Sequence, residues 1–312
     1  MSRAVLLLVN TDKPEVAAAL PEVRSLIKQR GRIVAELRAD NSPLTLEHAA
    51  GADLIVVLGG DGTLIGQTRR CVSFGLPMLG VKLGRLGFMA EFDLPDLRAQ
   101  ADELFDGRHP LHVQDRPMLR ITTHDQDGSA NLRPTASLSP ASGEPSDGAE
   151  SLALNDAVVT AGPPYRMIAL TIRIDGQPGP QVAGDGLIIA TPIGSTAYNV
   201  SAGGPIISPD VSAMVVTPIA PHSLSFRPIV VAGSSTIELT LDRVNDQDDL
   251  DGPAGGTSLV LDGQLAVRLH AGQRVLIRQN LRQARFVRNP RSSYWHTLID
   301  KMRWAAPLLP PG

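Results

Sequence analysis

The sequence predicts an α/β N-terminal domain built on a parallel sheet, then a mostly-β C-terminal domain, with a C-terminal helix returning to the first domain. Three observations carry this. Up to about Leu111, apolar runs alternate with stretches of helical periodicity. Beyond it the chain changes to short β-rich runs at fairly regular spacing. Ser292–Trp304 is helical again. At 312 residues, 43% hydrophobic and 20% charged, the chain has the composition and length of a globular protein of two domains, needing no covalent staples.

Ala4–Val9 is a continuous apolar run and reads as a strand. Lys13–Arg30 sets Val16, Leu20, Val23, Leu26 and Ile27 at helical spacing, and Gly31 ends it. Arg32–Leu37 is short and β-branched. Ala52–Leu58 is apolar on both faces, as a central strand of a parallel sheet must be. Thr63–Phe74 reads as a helix, Pro77–Lys82 as a strand and Leu94–Phe105 as a helix. The β-rich part comprises Met118–Thr122, Leu152–Val159, Ile168–Ile174, Gly186–Ala190, Val215–Ile219, Pro228–Val231, Thr236–Leu241, Leu259–Leu261 and Arg274–Arg278. Within it only Ser195–Ala202 looks helical. The expected domains are 1–112, with 290–312 packing back on it, and 113–289.

Two segments read as insertions. Asp125–Glu150 is rich in Ser, Pro, Gly and Asp and poor in large apolar side chains, so a mobile loop is expected. Asn245–Gly256 is acidic and glycine-rich. It lacks the ligand spacing of a calcium loop and reads as a solvated turn.

Composition narrows the function. Cys71 is the single cysteine, which excludes an internal disulfide and any multi-thiolate metal site. A net charge of −3 argues against nucleic acid as a partner. The N-terminus has no signal-peptide pattern, and no apolar stretch approaches membrane-spanning length. A cytoplasmic protein without membrane attachment is expected.

Gly59-Gly60-Asp61-Gly62-Thr63 leaves the strongest strand and opens a helix, the place where parallel α/β sheets bind ligands. Glycines let backbone N–H groups approach an anion, and the helix start adds positive potential. Thr63 can cap the helix or donate to a phosphate. Asp61 repels phosphate unless a cation bridges them or it takes a proton from a hydroxyl. The alternative is a tight turn with an Asp helix cap. Lys82, Arg85, Arg69 and Arg70 are near in sequence and can contact phosphate or stand as solvated charges.

The second cluster runs from Gly184-Asp185-Gly186 through Thr191-Pro192-Ile193-Gly194-Ser195-Thr196-Ala197-Tyr198-Asn199 to Gly203-Gly204-Pro205. Its small and hydroxyl residues let backbone lie close to a ligand, Tyr198 offers an aromatic face, and Asp185 and Ser201 offer polar handles. A nucleophilic serine is rejected, because the Gly-x-Ser-x-Gly elbow is absent. The seven histidines form no metal pair, and His222 reads as a loop histidine more than a base. Asn155-Asp156 falls inside a strand-like run, where such residues need partners. The pair is either a strand end or bulge, or two acceptors for ligand hydroxyls.

GGDGT alone is also similar to the turn of phosphofructokinases and of diacylglycerol and sphingosine lipid kinases. The series GGDGT, LGRLGF, LNDAVV, GDGLIIATPIGSTAYNVSAGGPI, TPIAPHSLSFRPIVV, LDGQ and SSYWHTLIDKMRW, in this order, closely resembles the NAD kinase family from about Ala4 to Trp304. The resemblance implies an active site between the two domains. It also implies phosphoryl transfer from ATP or another donor to the 2′-hydroxyl of the adenosine ribose of NAD, giving NADP. It makes Asp61 the proton acceptor and lays Gly62 against the dinucleotide. Leu86, Gly87 and Phe88 would line the nucleotide pocket, and Asn155 and Asp156 would hold ribose hydroxyls. Asp185, Thr196, Ala197, Tyr198, Asn199, Val200 and Ser201 match the family's NAD-binding segment. Arg166 and Gln264 fall where other members contact NAD. Three departures stand out: Ile193 replaces a usual Thr, Gly66 stands where many members carry Arg, and Ala183 is small at a variable position. No metal cage is visible, so Mg²⁺ would arrive with the nucleotide donor. A homo-oligomer, dimer or tetramer, is expected.

The competing readings are a lipid kinase and a non-catalytic dinucleotide sensor. Net charge −3 and the lack of a basic amphipathic helix oppose the first, and the intact Asp61 opposes the second.

Overall fold

A computed structural model describes residues 2–40, 42, 44–84, 87–125, 128–129, 150–246 and 256–303. The chain divides into two compact units, Met1–Asp115 with Ala284–Gly312, and Arg116–Gln283. The division falls after 115 and before 284, because a strand at each of these points joins the sheet of the first unit. Strand β18 (Ala284–Val287) joins the sheet of the first unit.

In the first unit, β1 (Ala4–Val9), β2 (Arg32–Arg38), β3 (Leu54–Leu58), β4 (Met78–Val81), β5 (Val113–Arg116) and β18 form one sheet in the order β2-β1-β3-β4-β18-β5. The pairs β1–β2, β1–β3, β3–β4 and β4–β18 are parallel. Every residue of β1, β3 and β4 is buried, as strands covered on both faces must be. Helix α1 (Pro14–Arg30) supplies one cover: Val16, Leu20, Val23 and Ile27 pack with Val5, Leu7, Val56 and Leu79. Pro14 opens it, and Gly31 follows it where a Cβ would lie 2.6 Å from the Arg3 carbonyl. Helix α2 (Asp61–Cys71) begins two residues earlier than the apolar pattern indicates. The expected Leu94–Phe105 helix is two, α3 (Leu94–Ala99) and α4 (Ala101–Phe105). They break at Gln100, whose buried amide donates to Asn289 Oδ1 at 3.0 Å.

The second unit is a sandwich of two six-stranded antiparallel sheets. Strands β6 (Leu119–His124), β7 (Glu150–Ala153), β9 (Ile168–Ile174), β10 (Gln177–Gly184), β14 (Ile237–Arg243) and β17 (Arg274–Gln279) make one, in the order β10-β9-β14-β17-β6-β7. Strands β8 (Asp156–Thr160), β11 (Gly186–Ala190), β12 (Ala213–Ile219), β13 (Ile229–Ala232), β15 (Ser258–Leu261) and β16 (Leu265–Arg268) make the other, in the order β13-β12-β11-β8-β15-β16. Alternate residues such as Ile237, Leu239 and Leu241 meet Leu187, Ile189, Met214 and Val216 in the core. On its far face the second sheet buries Val158, Ile188, Ala190 and Val215 against Ala202 and Ile207. That second cover explains why β11 is buried throughout.

The expected run Leu152–Val159 is not one strand. It leaves the first sheet at Ala153 and enters the second at Asp156, so Asn155 sits in the crossing. Ser195–Ala202 is a 3₁₀ turn, Gly194–Thr196, followed by the one-turn helix α5 (Tyr198–Ser201). Most of the first insertion, residues 126–127 and 130–149, lies outside the described residues, as do 247–255 of the second. Asn245 itself is not a solvated turn residue. It is 5% exposed and its amide donates to the carbonyls of Ala161, Gly162 and Arg166. The last helix, α6 (Tyr294–Met302), belongs to the first unit, where the Lys301 ammonium lies 4.9 Å from the Phe88 ring centre.

Candidate active site

In the first unit, the glycine turn stands at the carboxyl ends of adjacent strands. Gly59 N–H donates to the Val81 carbonyl and Asn10 N–H to the Leu58 carbonyl, both at 3.1 Å, which ties β1, β3 and β4 together at this end. A Cβ on Gly59 would lie 2.6 Å from Thr63, so only glycine permits the helix to start this close to the strand. Gly60 is the N-cap of α2, and no side chain caps the helix. Thr63 therefore does not cap; its hydroxyl accepts from Asn10 Nδ2 at 3.0 Å.

Nor does Asp61 act as that cap. Its carboxylate reaches to a second turn, where it accepts from the N–H groups of Phe88 at 2.6 Å, Ala90 at 3.1 Å and Met89 at 3.4 Å. A Cβ on Gly87 would lie 1.8 Å from Asp61 Oδ1. Gly87 is thus the space in which the carboxylate sits. The structure brings Asp61, Gly87 and Phe88 together, with Gly62 exposed in the first turn of α2. Leu86 and Arg85 lie outside the described residues. Arg70 is drawn away, since its guanidinium donates to the Asp40 carbonyl and to Gln67 Oε1.

In the second unit, the crossing at Leu154-Asn155-Asp156 is clamped from two sides. The Asp262 carboxylate accepts from the N–H groups of Leu154 at 3.0 Å, Asn155 at 2.7 Å and Asp156 at 3.2 Å. Thr191, just past β11, donates its hydroxyl to the Leu154 carbonyl at 2.7 Å and its N–H to the Asn155 carbonyl at 2.8 Å. A Cβ on Gly194 would lie 1.9 Å from the Asn155 carbonyl oxygen, so the 3₁₀ turn closes directly over the crossing.

With its backbone occupied in this way, the crossing leaves its side chains for another role. Asn155, Asp156, Ala197, Tyr198, Asp262 and Gly263 border a cavity of about 460 Å³, floored by β8 and β15. The Asn155 Oδ1 atom is buried without a hydrogen-bond partner among the described residues, the mark of an acceptor that awaits a donor. Asp156 is 4% exposed, and its carboxyl is pushed up to about 7, first by burial and then by the neighbouring Asp262 carboxylate. Near neutrality Asp156 can therefore donate or accept. Tyr198 is 46% exposed beside them.

Other expected contact residues do not border this cavity. Asn199 is fully buried; its two amide protons go to the Ser195 and Pro205 carbonyls, and its oxygen accepts from Thr217. It anchors the turn rather than facing a ligand. Thr196 donates back to the Ile193 carbonyl. Val200 lies in the one turn of α5. Arg166, Asp185 and Ser201 are exposed, and Gln264 closes the β15–β16 hairpin through its N–H. In the sequence, Asp262 of the LDGQ motif carries no assigned role. Its signal is the Asp-Gly pair between two apolar runs: Asp262 takes φ +51°, a left-handed conformation that Asp tolerates in a hairpin. Lys301 was missed too, hidden in an ordinary helical pattern.

Comparison with known proteins accords with this geometry. Residues 8–109 match the family described as the ATP-NAD kinase N-terminal domain, and residues 154–289 the ATP-NAD kinase C-terminal domain. The NAD kinase of Desulforamulus reducens is 37% identical over 305 residues, covering 95% of this chain and 96% of that protein. That of Geotalea daltonii is 38% identical over 253 residues, covering 81% and 79%. Among solved structures, yeast NADH kinase complexed with NADH shares the fold with a TM-score of 0.77 at 22% identity, covering 99% of this chain and 89% of that one. An NAD kinase from Archaeoglobus fulgidus in complex with ATP has a TM-score of 0.68 at 25% identity, covering 96% and 98%. Matches to both domain families and a relative this similar over nearly the full length of both chains establish that the chain belongs to the NAD kinase family, and that it is a phosphotransferase.

Proposed function

We propose that this enzyme transfers the terminal phosphoryl group of ATP to the 2′-hydroxyl of the adenosine ribose of NAD, with Asp61 as the proton acceptor and the Asn155–Asp156 pair as the grip on ribose. The observation that carries the reading is the unpartnered Asn155 Oδ1 beside Asp156 on the cavity wall, two acceptors at the spacing of adjacent residues. Ribose presents hydroxyl donors, which both can satisfy.

A ribose hydroxyl is a weak nucleophile. As its oxygen bonds to the terminal phosphorus, the bond from that phosphorus to the bridging oxygen breaks, and the hydroxyl proton passes to Asp61. The amides of Phe88, Met89 and Ala90 hold the Asp61 carboxylate in one orientation, so no rotamer search precedes the transfer. Gly62, Gly87, Phe88, Ala197 and Tyr198 supply close backbone approach and flat apolar surface for the dinucleotide.

Among the described residues no three His, Cys, Asp or Glu side chains gather to hold a metal ion. The reading keeps Mg²⁺ as an ion that would arrive with the nucleotide donor. That ion neutralises charge on the transferring group when bound. The reading includes a cytoplasmic enzyme; no helix among the described residues is long and apolar enough to cross a membrane. It also includes a homo-oligomer. Support comes from edge strand β13, where Ile229 is 42% and Val230 49% exposed, an apolar edge that a second copy would cover.

The test is direct. Purified protein with ATP, Mg²⁺ and NAD should form NADP, detected by an NADP-specific dehydrogenase, and should leave diacylglycerol unphosphorylated. Lipid phosphorylation without NADP formation would overturn the reading.

A further inference from the structure

The chain contains four lysines against 25 arginines, so lysine is its rare cation. Three of the four stand around the glycine turn. Lys13 follows β1, and its Nζ lies 3.1 Å from the position a Cβ on Gly60 would take. Lys82 directly follows β4. It is 7% exposed, and its ammonium has no hydrogen-bond or ion-pair partner among the described residues. Lys301, from α6, lies over the Phe88 ring, whose own N–H holds the Asp61 carboxylate.

These positions share one origin in the fold. β1, β3 and β4 are neighbouring parallel strands, so Lys13, the glycine turn and Lys82 all leave the same crest. Lys301 is their electrostatic neighbour. Its ammonium is held below the usual lysine range by burial and by Lys82, against the opposing pull of Asp61. Asp61 is the carboxylate that faces these ammonium groups, and three cations against one such carboxylate leave a positive excess that an anionic ligand would complement.

Residue type narrows the anion. Arginine's flat fork suits one fixed carboxylate or phosphate. Lysine is a compact point charge on a flexible stem, which can follow a run of phosphate oxygens as the terminal phosphoryl group is transferred. The turn also presents the N-terminal amides of the 11-residue α2 to the same space. Asp61 alone would repel an oligophosphate there; three ammonium groups reverse the sign.

We propose that Lys13, Lys82 and Lys301 together bind the oligophosphate chain of the phosphoryl donor at the glycine turn, with Lys301 as the donor-positioning group supplied by the last helix. The proposal rests on the phosphotransferase reading above. It assigns the C-terminal helix a part in donor binding, and none in binding the dinucleotide acceptor.

The experiment measures initial rates for the full chain and Lys301→Gln, with ATP varied at saturating NAD and then the reverse. The ATP KM should rise about 10- to 100-fold, the range for losing one charge-assisted contact, with the NAD KM within about twofold. Lys301→Arg should recover part of the loss. Lys28→Ala, an exposed lysine on α1, should change neither KM. Inorganic tripolyphosphate, titrated calorimetrically without NAD, should bind the wild-type chain and bind Lys301→Gln more weakly by a similar factor. An unchanged ATP KM and unchanged tripolyphosphate affinity, or a rise confined to the NAD KM, would overturn the proposal. If Lys301→Gln fails to fold, Lys13→Gln carries the same expectation. A wild-type chain that binds tripolyphosphate through these lysines yet forms no NADP would instead count against the transfer to NAD proposed above.

Discussion

Replacing Asp156 by asparagine tests the electrostatics of the cavity. Asp156 and Asp262 are two carboxylates at one strand crossing, and burial raises Asp156 from an ordinary 3.8 to about 7. Between those values the folded state holds a proton that the unfolded state has released. Stability contributed by the neutral Asp156 is therefore complete below about 3.8 and is lost as pH rises through about 7. At about 1.4 kcal/mol per pH unit, the full loss is on the order of 4 kcal/mol, an upper bound. About 2–3 kcal/mol of it falls between pH 5 and 8. The Asp156→Asn side chain keeps the shape and cannot ionise. Thermal melts of both proteins at pH 5, 6, 7 and 8 should show the variant gaining on the wild type with each step, by roughly 5–10 °C across the series. A difference in Tm that stays constant with pH would refute the reasoning, because it would mean Asp156 is already ionised at pH 5 or does not titrate below pH 8.

Asn155→Ala should weaken NAD binding by about 1–3 kcal/mol in calorimetric titration, with a smaller fall in kcat, because the lost contact serves ground and transition states alike. Gly87→Ala should lower kcat roughly 100-fold in steady-state assay while the melting temperature moves by only a few degrees, since the new methyl would occupy the place of the Asp61 carboxylate. A Gly87→Ala enzyme with normal turnover would show that the position of that carboxylate does not matter.

Much of the fold could be read locally. The run Ala52–Leu58 is apolar on both faces because β3 is central in a parallel sheet, and that pattern needs no knowledge of its neighbours. The turn after it followed from its glycines. What failed depended on partners distant in sequence. Asn155-Asp156 looked like the middle of one strand, because nothing local reveals that β7 and β8 belong to different sheets. The residue that holds the crossing, Asp262, is more than 100 positions away. β10 was missed because Gln177–Gly184 is rich in proline and glycine and mostly exposed, as an edge strand can be. Asn199 shows the limit for site residues. Its place in a glycine-rich, hydroxyl-rich motif suited a ligand contact, yet Thr217 and two carbonyls claim its whole amide. Side-chain chemistry was visible in the sequence, and the direction each side chain faces was not.

The central claim is that Asp61 accepts the proton during transfer, and Asp61→Asn tests it most directly. The substitution removes the base and also leaves one of the amides at Phe88 or Ala90 facing an NH₂ group, a local cost of about 1–3 kcal/mol, so circular dichroism and melting must first show the variant folded. NADP formation at saturating ATP and NAD is then measured beside NAD affinity by calorimetry. The account predicts a fall in kcat of about 10²–10⁴-fold with NAD affinity changed by no more than about threefold. A folded Asp61→Asn protein that turns over at close to the wild-type rate, or one that loses NAD binding while its saturated turnover survives, would contradict it.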